Sequence, residues 1–187
     1  MILLPNECFF KIFDYLKTDY SLFSCLLVNR HWCRLIVPIL WSEPTDCSVD
    51  KRLIRIYLLS LNVEEQTLLI PFNIILPNYS KPLFEYASYT KSVGFCLHDG
   101  VKNWLNDEGY IDNYKRNRNE PVNAVKCSLI AMFLRTSKKL KILEINGTIC
   151  NKMISNYLYR NTTISYLNIC TKTIEFKGMG NNGRSSL

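Results

Sequence analysis

From Leu4 to Trp41, 23 of 38 residues are hydrophobic, against 48% for the whole chain. Pro5 fits the first turn of a helix and Glu7 suits its positive end, so a helix is predicted from Pro5 to Leu16. On a wheel turning about 100° per residue from Cys8, the residues Ile12, Leu16, Phe9, Phe13 and Phe10 fall at about 40°, 80°, 100°, 140° and 200°, with Tyr15 at about 340°. That apolar arc spans about 220°, whereas a helix packed on one core needs little more than a third of its circumference. The helix therefore has to be covered on two sides. Thr18-Asp19 opens a second short helix carrying Leu22, Phe23, Cys25, Leu26 and Leu27. Asn29 can cap a third, with Trp32, Leu35 and Ile36 at helical spacing and an end before Pro38. Three short helices have a small core of their own, so the surplus meets either the rest of the chain or another protein.

Beyond Trp41 the pattern becomes mixed. A connector over Pro44 to Ser48 leads to Asp50, a cap for a helix through Leu59 with Leu53, Ile56, Tyr57 and Ser60 on one stripe. Val63 to Ile70 is read as helical up to Pro71, and Lys81-Pro82 starts another helix over Leu83 to Ser88. Val93 to Leu97 alternates like a strand, and residues 106–121 read as a polar loop. After Pro121, Val122, Val125, Leu129, Met132 and Phe133 recur at three- and four-residue steps and predict a helix.

The first segment carries more than periodicity. Leu4-Pro5-Asn6-Glu7, then Ile12, Leu16, Leu22, Val28-Asn29-Arg30-His31-Trp32, Leu35 and Ile39-Leu40-Trp41 resemble an F-box. Cys8 departs from the pattern, since an aliphatic residue usually follows the Glu, but it is apolar and buries as well. The resemblance implies docking on a Skp-type adaptor of a cullin–RING ubiquitin ligase, with the remaining chain selecting the substrate. It implies adaptor-facing or interface-shaping roles for Leu4, Pro5, Ile12, Leu16, Val28 and Trp32. Core packing within the three helices is an equal reading for any one of them.

Leu140 to Ile145 and Ile164 to Ile169 both fit Leu-x-x-Leu-x-Leu with Ile substitutions, and start 24 residues apart. That lies inside the 20–29 period of leucine-rich repeats. Ile149, Met153, Ile154, Tyr157 and Leu158 supply the helix between them, and Asn146 falls close to the usual Asn or Cys position. The arrangement resembles the expanded F-box families of fungi, whose substrate-binding part carries such repeats. The expected fold is α+β: a three-helix F-box over 1–44, a helical connector over 45–90, and leucine-rich-repeat-like strand–helix units over 91–176. A flexible tail follows over 177–187. Two clear repeats are fewer than a stable solenoid normally needs, so the array is read as shortened, with its last strand left open-edged. Lys141, Glu144, Asn146, Ser165 and Asn168 flank or alternate with the apolar strand positions and are the candidates for target contact.

Charge refines this picture without redirecting it. The chain of 187 residues has a net charge of +7, but residues 1–90 hold 8 basic and 9 acidic residues and residues 91–187 hold 15 and 7. A basic second half admits a nucleic-acid-binding module as the alternative function, or an acidic protein target. The run Lys115-Arg116-Asn117-Arg118, with Tyr110 and Tyr114 nearby, is its only local support. Eight cysteines fall without a Cys-x-x-Cys pair, so no metal or cofactor is expected. His31-Trp32-Cys33 and Cys96-Leu97-His98 are short Cys/His pairings better read as packed thiols beside histidines than as nucleophile and base. Gly178-Met179-Gly180-Asn181-Asn182-Gly183 has the glycine spacing of a dinucleotide loop but no room for the helix that must follow. No catalytic constellation stands out, so a non-catalytic receptor is expected. With no apolar leader of signal length, the cytoplasm or nucleus is the expected compartment, and the sequons at Asn78, Asn146 and Asn161 are read as chance matches.

Overall fold

In the computed structural model, residues 4–16, 21–45, 49–76, 82–111, 119–146 and 152–170 are described. Helices α1 (Asn6–Tyr15), α2 (Ser21–Leu26) and α3 (Arg30–Leu40) come first; the start foreseen at Thr18-Asp19 lies outside the described residues. Asn29 caps α3 as expected, its side-chain oxygen accepting the Trp32 N–H at 2.8 Å. The expected stop before Pro38 is wrong, because Pro38 sits inside α3. Proline forfeits its own N–H and crowds the carbonyl four residues back. Here Ile39 and Leu40 pack on the small core beyond it, and the Trp41 N–H still donates to Val37 at 3.0 Å.

Helix α4 (Lys51–Leu58) starts at Asp50, whose carboxylate accepts the Arg52 N–H at 2.7 Å. Its buried side is Ile54, Tyr57 and Leu58, so the predicted stripe is rotated and shares only Tyr57. The long helix expected over Val63 to Ile70 is one turn, α5 (Val63–Gln66), followed by a 3-10 turn over Ile70–Phe72 that takes in Pro71. The helix expected over Leu83 to Ser88 is instead a 3-10 turn at Tyr86–Tyr89.

The strand read over Val93 to Leu97 also needs correcting. Strand β1 covers only Ser92–Val93, and Cys96 and Leu97 open helix α6 (Cys96–Asp107). The Gly94 N–H donates to the Thr45 hydroxyl at 2.7 Å, which takes it off the strand ladder. From Leu97 onward, burial of Val101, Trp104 and Leu105 follows the helical period. Helix α6 thereby takes in Asn106 and Asp107, the start of the expected polar loop, of which residues 112–118 lie outside the described residues. Helix α7 (Asn119–Thr136) already begins ahead of Pro121, and β2 (Ile142–Asn146), α8 (Lys152–Arg160) and β3 (Tyr166–Cys170) complete the described residues.

The strands form one parallel sheet in the order β1-β2-β3. Ile142 pairs with Tyr166, so β2 and β3 are offset by the same 24 residues that separate the two Leu-x-x-Leu-x-Leu segments. Ser92 pairs with Ile142 across two intervening helices, a 50-residue step, so the 24-residue unit does not extend to β1. The architecture is mixed and mainly helical with a small parallel sheet, and no repeat solenoid is formed among the described residues.

Helix α7 explains where the core sits. Its periodic stripe is only part of what is buried, since Lys126, Cys127, Ser128, Ile130, Ala131 and Leu134 are covered as well. A helix covered nearly all round lies at the centre, and α5, α6, α8 and the Tyr86–Tyr89 turn surround it. Lys126 meets this burial by donating to the Asn146 carbonyl at the end of β2 and to Asn123 Oδ1 at 3.1 Å. Desolvation pushes its pKa below the usual lysine range.

A separate, smaller core unites Phe13, Leu22, Leu35 and Ile36 from α1–α3. Trp41, at the end of α3, packs instead on the larger core: its ring stacks on Tyr86 at 4.0 Å and meets Tyr57 edge-on at 5.6 Å. The Ser42 carbonyl accepts the N–H groups of Lys91 and Ser92 at 2.6 and 3.2 Å, fixing the end of α3 beside the start of the sheet.

Close packing of α6 gives a first test. A Cβ on Gly100 would fall 2.3 Å from Val49 Cβ. Gly100→Ala is therefore expected to lower stability by about 1–3 kcal/mol through overpacking, despite the better helix propensity of Ala. Urea unfolding measures this directly, and an unchanged midpoint would contradict the close approach.

Candidate functional site

Pro5 precedes α1, and its carbonyl accepts the Cys8 and Phe9 N–H groups at 3.1 and 3.4 Å, so the chain enters the helix directly from the Leu-Pro step. The apolar arc of α1 is then divided. Phe9, Phe13 and Leu16 turn inward: Phe13 is buried, and the other two are half-buried against the small core. Trp32 of α3 closes on them, its ring 5.8 Å from Phe9 and 5.1 Å from Phe13. The two flanks of the arc face solvent: Cys8, Ile12 and Tyr15 within about 60° on one side, and Phe10, 42% exposed, on the other. The chain thus covers only the middle of the arc.

The structure separates the six sequence-predicted residues into two groups. Leu4, Pro5, Ile12 and Val28 are exposed, Ile12 at 47% and Val28 at 58%. Leu16 and Trp32 pack into the small core. Sequence reasoning passed over Phe23 and Leu27, which are 59% and 82% exposed at the α2 end of the same unit. The signal for them was present in the surplus of apolar residues over what three short helices can bury.

A second surface lies on the sheet. Glu144 and Asn168 are register partners on one face of β2 and β3, with Asn146 two residues along from Glu144. Lys141 and Ser165 lie just ahead of these strands, where the Lys141 carbonyl accepts the Ser165 N–H at 2.9 Å. The opposite face carries Leu143 and Ile145, which are buried under the helices. Their neighbours Leu167 and Ile169 on β3 remain 45% and 42% exposed, so among the described residues the covered face ends at β3.

The remaining candidates resolve differently. Among the described residues no group of three or more His, Cys, Asp or Glu is placed to hold a metal ion. His31 packs edge-on to Phe9 at 5.9 Å, while Cys33 lies on the side of α3 towards Leu83 and Phe84. Tyr110, an aromatic considered for base stacking, is engaged internally. Its hydroxyl accepts the Ile75 N–H at 2.9 Å and donates to the Ile75 carbonyl at 3.3 Å, and its ring lies 6.0 Å from Trp104. The basic run Lys115–Arg118, Tyr114 and the glycine-rich 178–183 segment lie outside the described residues. Among the described residues no helix is long and apolar enough to cross a membrane.

Residues 1–46 match the model of the F-box-like family. No curated protein and no solved structure matches the chain. The family match covers the α1–α3 unit and supports a general adaptor role in an SCF ubiquitin ligase, in which F-box proteins bind a Skp-type adaptor and are generally non-catalytic.

Proposed function

We propose that this chain is a non-catalytic substrate receptor of an SCF-type, cullin–RING ubiquitin ligase, working in the cytoplasm or nucleus. The observation that carries the reading is the exposed apolar face of α1–α3 within a segment that matches the F-box-like family. Leu4, Pro5, Ile12 and Val28 make the adaptor contact, extended by Phe23 and Leu27. Leu16 and Trp32 shape that face from within the small core. Apolar side chains in such numbers are removed from water on docking, at roughly 25 cal/mol per Å² of apolar surface.

The part beyond α3 binds the target. Lys141, Glu144, Asn146, Ser165 and Asn168 lie on or beside the sheet face that the helices leave free. The 24-residue offset of β2 and β3, with α8 between them, supports a shortened leucine-rich-repeat-like unit as the presenting scaffold. The mechanism is positional. Adaptor docking at one end and target binding at the other bring target lysines near the ubiquitin-conjugating enzyme, and the rate gain is that of proximity. Coexpression with a Skp-type adaptor is expected to yield a one-to-one complex on size exclusion, in higher soluble yield than the chain alone. Elution of the adaptor separately from a folded chain would refute the docking assignment.

A further inference from the structure

Between α3 and the stretch leading to the Tyr86–Tyr89 turn lies a groove of about 450 Å³. Among the described residues it is lined by Arg30, Cys33 and Arg34 on one wall and by Leu83 and Phe84 on the other. Arg30 and Arg34 are four residues apart, which sets them on one face of α3 about 6 Å apart along its axis. Both are exposed, and among the described residues neither forms an ion pair, whereas Arg52, Arg55 and Arg135 each do. Like charges at that spacing repel one another, so an anion placed between them relieves the repulsion. The facing wall is apolar and uncommitted. Leu83 is 84% exposed, neither it nor Phe84 joins either core, and the Phe84 ring stands edge-on to Tyr86 at 5.8 Å.

We propose that this groove docks a linear peptide segment of a partner protein that carries an anionic side chain, carboxylate or phosphate, next to a large apolar one. Either guanidinium group takes a carboxylate or phosphate through two parallel N–H···O bonds, the second adds its charge, and the apolar side chain rests on Leu83 and Phe84. A nucleic-acid strand fits less well, since it calls for a track of cations and flat stacking platforms rather than one arginine pair beside edge-on rings. The proposal rests on the substrate-receptor reading and gives the target a chemically defined hold beside the F-box-like unit.

The test uses the full chain with its Skp-type adaptor and three short fluorescein-labelled peptides. One alternates Glu and Leu, one replaces Glu by phosphoserine, and one replaces Glu by Lys. Fluorescence anisotropy is expected to show binding of at least one anionic peptide, with the first two arms telling carboxylate from phosphate, and none of the lysine peptide. Arg30→Ala with Arg34→Ala is expected to weaken binding by about tenfold or more. Leu83→Ser, which leaves the charges in place, weakens it several-fold. In both variants the adaptor still co-elutes. Equal binding of the lysine peptide, full affinity in both variants, or tighter binding of a single-stranded RNA probe would overturn the proposal. Loss of the adaptor from the arginine variant would overturn it too, by assigning that pair to the adaptor interface. If the unaltered chain fails to hold the adaptor, the receptor reading falls, and the same peptide titration on the free chain still decides the groove.

Discussion

Replacing Ile12 and Val28 together by Asp is expected to weaken adaptor binding at least about 100-fold while leaving the unfolding midpoint almost unchanged. Both side chains are about half exposed and belong to neither core, so their removal takes little from folding. In the proposed docking they become interface atoms, and a carboxylate in their place must lose its water in an apolar contact. Two such changes at well-packed positions cost at least about 3 kcal/mol, which is the stated 100-fold. Trp32→Ala is a poor substitute as a test. Its ring packs against both Phe9 and Phe13, so the variant disrupts the small core as well as the proposed docking face. Titration calorimetry with purified adaptor separates the two cases when read beside a thermal melt. Undiminished affinity in the double Asp variant would move the docking surface elsewhere on the chain.

That experiment draws on information the sequence held only in part. Helix caps were legible: Asn29 and Asp50 both accept the N–H groups expected of them, because a cap depends on residues within three positions. The apolar surplus of α1 was legible too, but not its division into an inward face with Phe13 and an outward face with Ile12. That division depends on where Trp32 arrives from α3. Pro38 and the segment at Val93 misled for a related reason. Packing of Ile39 and Leu40 carries α3 past the proline, and a long-range bond from Gly94 to Thr45 ends β1 before the apparent alternation does.

The sheet divides along the same line. A 24-residue spacing in sequence became a 24-residue register between β2 and β3, since parallel neighbours joined by a single helix keep their repeat length. The step from β1 to β2 holds two helices, and α7 between them is central rather than one-sided. Periodicity reveals a stripe when one face is buried and fades when nearly every face is. For this reason Lys126, Cys127 and Ser128 gave no hint of burial. Of the two candidate surfaces, the one proposed to meet the adaptor is written locally in residues 4–41. The grouping of Glu144 with Asn168 needed strand pairing to appear.

Arg135→Ala is expected to cost about 3 kcal/mol and to lower the unfolding midpoint by about 6–12 °C, the largest single stability effect proposed for the body of the protein. The Glu65 carboxylate is 0% exposed and accepts Arg135 Nε at 2.7 Å, Arg135 Nη2 at 3.0 Å and the Asn62 N–H at 2.8 Å. Removing the guanidinium leaves that buried charge with one N–H donor. It also frees the Ser60 carbonyl, which Arg135 Nη2 holds at 3.0 Å. The Arg135 side chain is 30% exposed, so water entering its place softens the loss and keeps the figure at the low end for a buried pair. Glu65→Met combined with Arg135→Met should recover part of the loss, because two apolar side chains carry no charge to desolvate. Recovery is incomplete, since Glu65 also closes the capping box of α5 with Asn62. Chemical denaturation of the single and double variants measures the coupling. A loss of about 1 kcal/mol or less for Arg135→Ala, the range of a surface pair, would mean that Glu65 reaches water. The pair joins α5 to α7 and has no part in the α1–α3 core, so each folded variant should bind the adaptor with unchanged affinity. This makes Arg135→Ala the complement of the Ile12 and Val28 variant, with stability lost and docking kept.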